Sequence, residues 1–347
     1  MTTLLTVAMH SDSERSTIVR TCERSELLSH DSPGALAVTD VNTRKLVPGR
    51  GPWVVLPDGE GEKRWESIAT ISEAALGAGV ARDGLFIGVG GGVVCDLTAF
   101  AASIYLRGVD VILVPTTLLA MVDAAVGGKT GMNFAGFKNM IGTFYPAREV
   151  RIDVSCLETL PDREFKSGLA EVIKSAMLGD PELLGILEMQ QNDIIRRDPD
   201  VLLELVRRSL AVKKDVVESD FTESGNRAFL NLGHTFGHGL ESVAGFGTWS
   251  HGEAVVWGMA RALEAGVEMS LTDPNYRDRC LSLFRRYSYR LEATGVAVPE
   301  LIDAMGKDKK KRGGVVRFVL QRNLGETLIS TIEPDLLKRV VGAGISQ

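Results

Sequence analysis

The first half of the chain alternates short, unbroken apolar runs with stretches of helical spacing. Segments 34–40 (GALAVTD), 53–59 (WVVLPDG), 85–92 (LFIGVGGG) and 109–117 (VDVILVPTT) each predict a buried strand that ends in turn residues. Between them, 63–78 and 92–105 repeat alanine and leucine with helical periodicity. Apolar strands separated by helices predict a parallel sheet covered by helices. From about residue 155 the pattern changes. Segments 158–178, 181–195 and 199–219 read as successive helices with proline or aspartate near their starts. Two strand-like runs return at 315–321 and 326–332. The expected organisation is an α/β domain over 1–155 and a mostly α-helical domain over 156–347.

Composition narrows the class. The 347 residues are 44% hydrophobic and 24% charged, ordinary for a globular chain, with a formal net charge of −6. That sign argues against nucleic acid or an anionic membrane as partner. No run reaches the roughly 18 apolar residues of a membrane helix. The N-terminus lacks a basic segment followed by an apolar run, so no signal peptide is expected. Cys22, Cys95, Cys156 and Cys280 show no CxxC spacing and read as free thiols in a reducing compartment, which implies a cytoplasmic protein.

Three segments carry chemistry. GVGGGVVCD (88–96) puts glycines between a strand and a helix, where backbone N–H groups can approach a phosphate. It marks the N-terminal domain as nucleotide-binding, although it is not the GxGxxG fingerprint of a standard Rossmann unit. Three of only five histidines, His234, His238 and His251, fall within eighteen residues, beside Asn231 and Glu253. Imidazoles with one carboxylate make a catalytic zinc set. Spacing nominates both His234 and His238, four apart on one helix face, and leaves the carboxylate open. Lys129 and Lys138 lie among glycine and apolar neighbours, as cations bound for a phosphate or carboxylate would, and Glu171 and Lys174 share a helix face. The run KDKKK (307–311) reads by itself as solvated.

Together these segments resemble the 3-dehydroquinate synthases of the sugar-phosphate cyclase family. The resemblance rests on LPDGEGEK (56–63), GGGVVCDLTAFAAS (90–103), YLRG (105–108), VPTTLLAMVDAAVGGKTGMN (114–133), KNMIGTFY (138–145), LETLPDREFKSGLAEVIK (157–174), LNLGHTFGH (230–238), HGEAV (251–255) and DKKKRGG (308–314), in family order across about 35–320. It implies a dehydroquinate synthase-like fold, with Glu171, His234 and His251 as ligands of Zn²⁺ or Co²⁺ and His238 as a proton-handling residue. For NAD it implies Asp40, Asn42, Asp58, Gly59, Glu60, Lys63, Gly91, Gly92, Val93, Asp96, Thr116, Thr117, Lys138 and Thr159, with Lys129 where nicotinamide and substrate meet. Substrate contacts are implied for Asp123, Lys129, Asn139, Lys174, Lys213, Arg227, Asn231, His238 and one of Lys309 and Lys310. Arg107 is implied to reach the substrate phosphate of the neighbouring subunit in a homodimer. The implied activity is that of a phosphate-eliminating carbon–oxygen lyase in aromatic amino acid biosynthesis.

Departures define the rivals. The form NFAGFKN (133–139) is similar to that of relatives that cyclise sedoheptulose 7-phosphate to valiolone-type products. Those relatives lack the combination of Leu230, Asn231, His238 and a DKK lysine present here. Amino-dehydroquinate synthases are not separated by sequence. A glycerol-dehydrogenase-like alcohol dehydrogenase would share the fold but has no use for Lys174, Lys213, Arg227 and Lys309. A non-catalytic binding protein would not need the intact set of metal, cofactor and lysine residues.

Overall fold

The apolar runs of the first half form the middle of a seven-stranded sheet. The computed structural model describes residues 1–10, 14–32, 34–46, 51–221, 225–245, 247–309 and 315–346. Strands β1 (Thr2–His10), β2 (Glu14–Thr21), β3 (Ala35–Asp40), β4 (Trp53–Leu56), β5 (Leu85–Gly90), β6 (Asp110–Pro115) and, after a small hairpin of β7 (Met132–Phe134) and β8 (Phe137–Ile141), β9 (Glu149–Ile152) make up the strands of this half. The sheet runs β1-β2-β9-β6-β5-β3-β4, antiparallel only at β1–β2. All six residues of β5 are buried, as expected of a central parallel strand covered on both faces.

Helices α1 (Trp65–Gly77) and α2 (Gly92–Ile104) belong to the same unit. Helix α2 can lie directly on β5 because two strand positions have no side chain. A Cβ on Gly88 would sit 2.8 Å from Thr98 Oγ1, and one on Gly90 2.6 Å from Val94 Cγ2. That close approach fixes the α2 N-terminus immediately beyond the end of β5.

The remaining chain is mostly helical: α3 (Asp162–Gly179), α4 (Pro181–Met189), α5 (Gln191–Ile195), α6 (Pro199–Ser219), α7 (His234–Ala244), α8 (His251–Glu268), α9 (Pro274–Arg286), α10 (Val298–Lys309) and α11 (Pro334–Gly342). Short strands β10 (Ala293–Thr294), β11 (Phe318–Gln321), β12 (Thr327–Ser330) and β13 (Ile345–Ser346) pair as β10–β13 and β11–β12. The fold is thus an α/β unit plus a mainly helical one, as the hydrophobic pattern predicts. The units are not a single cut at 155/156, however. One comprises Met1–Pro161 with Leu202–Thr222, the other Asp162–Val201 with Glu223–Gln347. Most of α6, including Lys213, packs with the sheet unit, because Leu202, Leu205, Val206, Leu210 and Val217 form a buried stripe at helical spacing.

Candidate active site

In the helical unit, α3 carries an acid and a base into an apolar interior. Every residue from Ser167 to Met177 is buried, Glu171 and Lys174 included. One carboxylate oxygen of Glu171, Oε2, is paired with Lys174 Nζ one turn on. The other, Oε1, lies 3.7 Å from His234 Nε2 and 3.5 Å from His251 Nε2. Two ligands held tetrahedrally at zinc bond lengths are about 3.3 Å apart, so these separations fit one divalent ion with little movement.

The two histidines open their helices. His234 follows Gly233, whose φ of 81° belongs to the left-handed region that glycine enters freely. His251 follows Ser250, which forms a reciprocal capping box with Glu253. Helices α7 and α8 cross closely, since a Cβ on Gly258 would meet the Gly233 carbonyl oxygen at 2.0 Å. The crossing brings the His234 and His251 rings to 5.2 Å. His234 Nδ1 is 3.3 Å from the Leu232 carbonyl, a contact that leaves Nε2 as the lone-pair nitrogen. Burial and the Lys174 charge hold its pKa well below the ordinary value, so it is neutral. Burial opposes charge on His251, but Glu171 and Glu241 outweigh it and raise its pKa to about 9. A carboxylate and two imidazole nitrogens converging on one point make a donor set suited to zinc or cobalt.

The sheet unit holds a second cluster at the ends of β3, β5 and β6. Asp40 Oδ1 accepts from Asn42 N, Thr43 N and Thr43 Oγ1 at 2.8–2.9 Å, and Asn42 Nδ2 donates to Asp58 at 3.1 Å. Gly59 (φ 98°) turns the chain into a short helical turn over Glu60–Glu62. Gly91 and Gly92 start α2, with Val93 next and Asp96 one turn in. Buried Lys63 spans Asp96 Oδ2 at 2.6 Å and Asn139 Oδ1 at 2.5 Å. Burial alone would lower the Lys63 pKa, but the charges of Asp96 and Glu60 raise it, so the ammonium persists. Thr116 N closes the β5–β6 end by donating to Gly90 O at 2.9 Å. Thr116 Oγ1 is buried and finds no hydrogen-bond partner among the described residues. A buried hydroxyl beside a glycine-opened helix fits a nucleotide that supplies the missing polar contact.

The N-terminal profile of 3-dehydroquinate synthase matches residues 53–167 and the C-terminal profile residues 168–311. The 3-dehydroquinate synthase of Nitrosospira multiformis is 46% identical over 281 residues, 81% of this chain and 77% of that protein. The chain belongs to the 3-dehydroquinate synthase family. A solved 2-epi-5-epi-valiolone synthase from Streptomyces hygroscopicus subsp. jinggangensis, with NAD⁺ and Zn²⁺ bound, is similar at TM-score 0.86 with 26% identity over 97% of both chains. A 2-deoxy-scyllo-inosose synthase complexed with carbaglucose-6-phosphate, NAD⁺ and Co²⁺ shares the fold at TM-score 0.85 with 22% identity, over 98% of this chain and 99% of that one.

The other residues implied by the 3-dehydroquinate synthase resemblance divide between the units. In the sheet unit, Asp123 sits in a π-helical turn (Ala120–Ala124), a feature frequent at functional sites. Its carboxylate and carbonyl both accept from Lys213 Nζ at 2.5 Å, so helix α6 delivers Lys213 to the sheet unit. Thr117 Oγ1 accepts from Ala120 N at 3.2 Å ahead of that turn. Lys129, Lys138 and Asn139 are exposed on and beside the β7–β8 hairpin, Asn139 with a left-handed φ of 51°. Thr159 ends a short helical turn, Val154–Thr159. Arg107 is exposed, and it and Leu106 hold positive φ values of 70° and 49° in the corner after α2, a strained presentation for two non-glycine residues. In the helical unit, Arg227 is buried and Asn231 half-buried within Asn226–Asn231, and the His238 ring lies 5.3 Å from that of His234. Lys309 ends α10, while Lys310 lies outside the described residues.

Two features escaped the sequence. Glu253 is no part of the ligand cluster. It caps α8 and pairs with Arg163 and Arg290. The second acid beside the histidines, after Glu171, is instead Glu241, whose Oε2 is 3.6 Å from His251 Nδ1. Its signal was the i, i+4, i+7 spacing of His234, His238 and Glu241 on one face of α7. Asn133 is the other: it donates to Glu60 Oε1 at 2.9 Å and accepts from Asn139 N at 2.9 Å, joining the hairpin to the Glu60–Glu62 turn.

Proposed function

We propose that the chain is a 3-dehydroquinate synthase that converts 3-deoxy-D-arabino-heptulosonate 7-phosphate to 3-dehydroquinate and inorganic phosphate. The observation that carries this reading is the pairing of an intact Glu171–His234–His251 donor set with buried cations no neutral polyol requires. Bound NAD would take and return one hydride, and a divalent metal would polarise the oxygen at the carbon being oxidised. The reaction then has no net redox change and belongs to the phosphate-eliminating carbon–oxygen lyases.

The chain's own groups take these roles. Asp40, Asn42, Asp58, Gly59, Glu60, Lys63, Gly91, Gly92, Val93, Asp96, Thr116, Thr117, Lys138 and Thr159 hold NAD. Lys63, kept charged by Asp96, presents its ammonium while fixing the Asn139 amide. Glu171, His234 and His251 bind the metal, and Lys174 occupies Glu171 Oε2 so that Oε1 is directed to the ion. Lys129, Lys174, Lys213 and Arg227, with a lysine at 309 or 310, bind the substrate carboxylate and phosphate. Asp123, Asn139 and Asn231 orient its hydroxyls, and His238 moves a proton. The same reading makes the enzyme a cytoplasmic homodimer in which Arg107 reaches the partner's substrate phosphate.

Substrate choice tests the reading against its nearest rival, the cyclisation of sedoheptulose 7-phosphate. Identity of 46% to a dehydroquinate synthase against 26% to the valiolone synthase favours the acidic sugar. Sedoheptulose 7-phosphate lacks the carboxylate, and losing one anionic partner of a buried cationic subsite costs about 2–5 kcal/mol, so kcat/KM should favour the heptulosonate by at least about 30-fold. Equal or faster turnover of sedoheptulose 7-phosphate would assign the chain to the valiolone-type cyclases.

A further inference from the structure

Each metal ligand of the helical unit is held from its far side. Glu171 is held through Oε2 by Lys174, and His234 through Nδ1 by the Leu232 carbonyl. His251 also turns Nε2 toward Glu171 and Nδ1 toward a third group, Glu241 Oε2 at 3.6 Å. Glu241 stands on α7, two turns beyond His234, and its side chain is only 12% exposed. The helix that supplies one ligand therefore carries the anion that faces the back of another.

We propose that Glu241 is a positioning residue for the metal centre, accepting the Nδ1 proton of His251 and so presenting Nε2 to the ion. This inference rests on the metal-site reading above. A carboxylate behind a ligating imidazole fixes its tautomer, orients the ring and makes it a stronger donor. A movement of a few tenths of an ångström brings the pair within hydrogen-bond range. His238, Glu241 and His251 also form a second group of converging donors. A metal there would need Nδ1 of the same imidazole whose Nε2 serves the first, so the ring would have to shed both protons. One ion with Glu241 behind it is the simpler chemistry.

The test measures zinc affinity of the whole protein by competition with a chromophoric chelator, for wild type, Glu241→Gln, Glu241→Ala and His251→Asn. Glutamine keeps the size and an acceptor oxygen but removes the charge. Glu241→Gln should weaken zinc about 10–100-fold and Glu241→Ala at least as much, with one zinc per chain and unchanged NAD affinity. Nitrogen NMR of wild type should show the Nδ1–H tautomer of His251 in the zinc-loaded protein. Unaltered zinc affinity in both Glu241 variants, while His251→Asn loses zinc, would overturn the role of Glu241 alone. Unaltered affinity in His251→Asn would instead overturn the metal site. Two zinc ions per wild-type chain, one of them lost in Glu241→Gln, would show Glu241 to be a ligand and also overturn the inference.

Discussion

Gly252→Ala tests whether helix packing sets the metal site. Gly252 follows His251 in the first turn of α8, and that turn lies against the backbone of α3. An added Cβ would stand 2.3 Å from the Ser167 carbonyl oxygen, 2.5 Å from its Cα and 2.8 Å from its carbonyl carbon. All three are backbone atoms, so no rotamer change relieves the clash. Ordinary contact requires α8 to retreat by about 1 Å. The retreat also stretches the 3.0 Å hydrogen bond from Gly252 N to Ser167 Oγ. Glu171 is one helical turn beyond Ser167, so the same displacement widens its 3.5 Å separation from His251. Metal–ligand bonds tolerate only about 0.2 Å. Overpacking should cost about 1–3 kcal/mol, and the metal-free protein should melt roughly 2–12 °C lower. An error of about 1 Å in placing His251 should cost about 10²-fold in kcat/KM at limiting zinc. Gly185→Ala is the control, because its Cβ would meet only the Met189 methyl at 3.6 Å. Melting curves and zinc titration of both variants decide the matter. If Gly252→Ala binds zinc like wild type and melts with Gly185→Ala, the helix crossing does not set the ligand geometry.

Other outcomes follow from the same structure. His238→Asn should retain zinc and slow turnover about 10²–10⁴-fold, whereas His234→Asn should lose the metal; equal metal loss in both would make His238 a ligand. Lys174→Ala and Arg227→Ala should lower kcat/KM while leaving NAD affinity within a few-fold, and Lys63→Ala should damage NAD and substrate binding together, because its ammonium contacts both Asp96 and Asn139. Retained NAD affinity in Lys63→Ala would disprove its cofactor role. Burial would raise the Glu253 pKa, but bonds from Ser250 and the charges of Arg290 and Arg163 bring it below its ordinary 4.5. Its contribution to stability is then complete above that pH and is lost as pH falls through the lowered value. The Tm advantage of wild type over Glu253→Gln should shrink on acidification; a gap independent of pH would contradict this.

The hydrophobic pattern made the centre of the sheet legible because β3, β5 and β6 are buried on both faces and read as unbroken apolar runs. The β1–β2 hairpin was not legible. It is antiparallel and partly exposed, and its residues mix threonine, serine and arginine with the apolar positions. The histidine cluster stood out through local spacing, but Glu171 lies sixty-odd residues upstream, and only the resemblance linked it to His234 and His251. Glu241 was missed because its partner is on the next helix, and Glu253 drew attention through sequence proximity although its carboxylate caps α8. Lys213 falls in the helical half by sequence but packs with the sheet unit, since helical periodicity alone does not say which unit a helix packs with.

The most direct test of the account is to count phosphate against NAD. Zinc- or cobalt-loaded protein with a fixed amount of NAD⁺ is given the heptulosonate phosphate, and phosphate, 3-dehydroquinate and near-ultraviolet absorbance are followed together. A 3-dehydroquinate synthase should give phosphate and carbocycle in equal amounts, many turnovers per NAD, and no accumulation of NADH. NADH rising in step with product, or phosphate release that continues without NAD or metal, would contradict it.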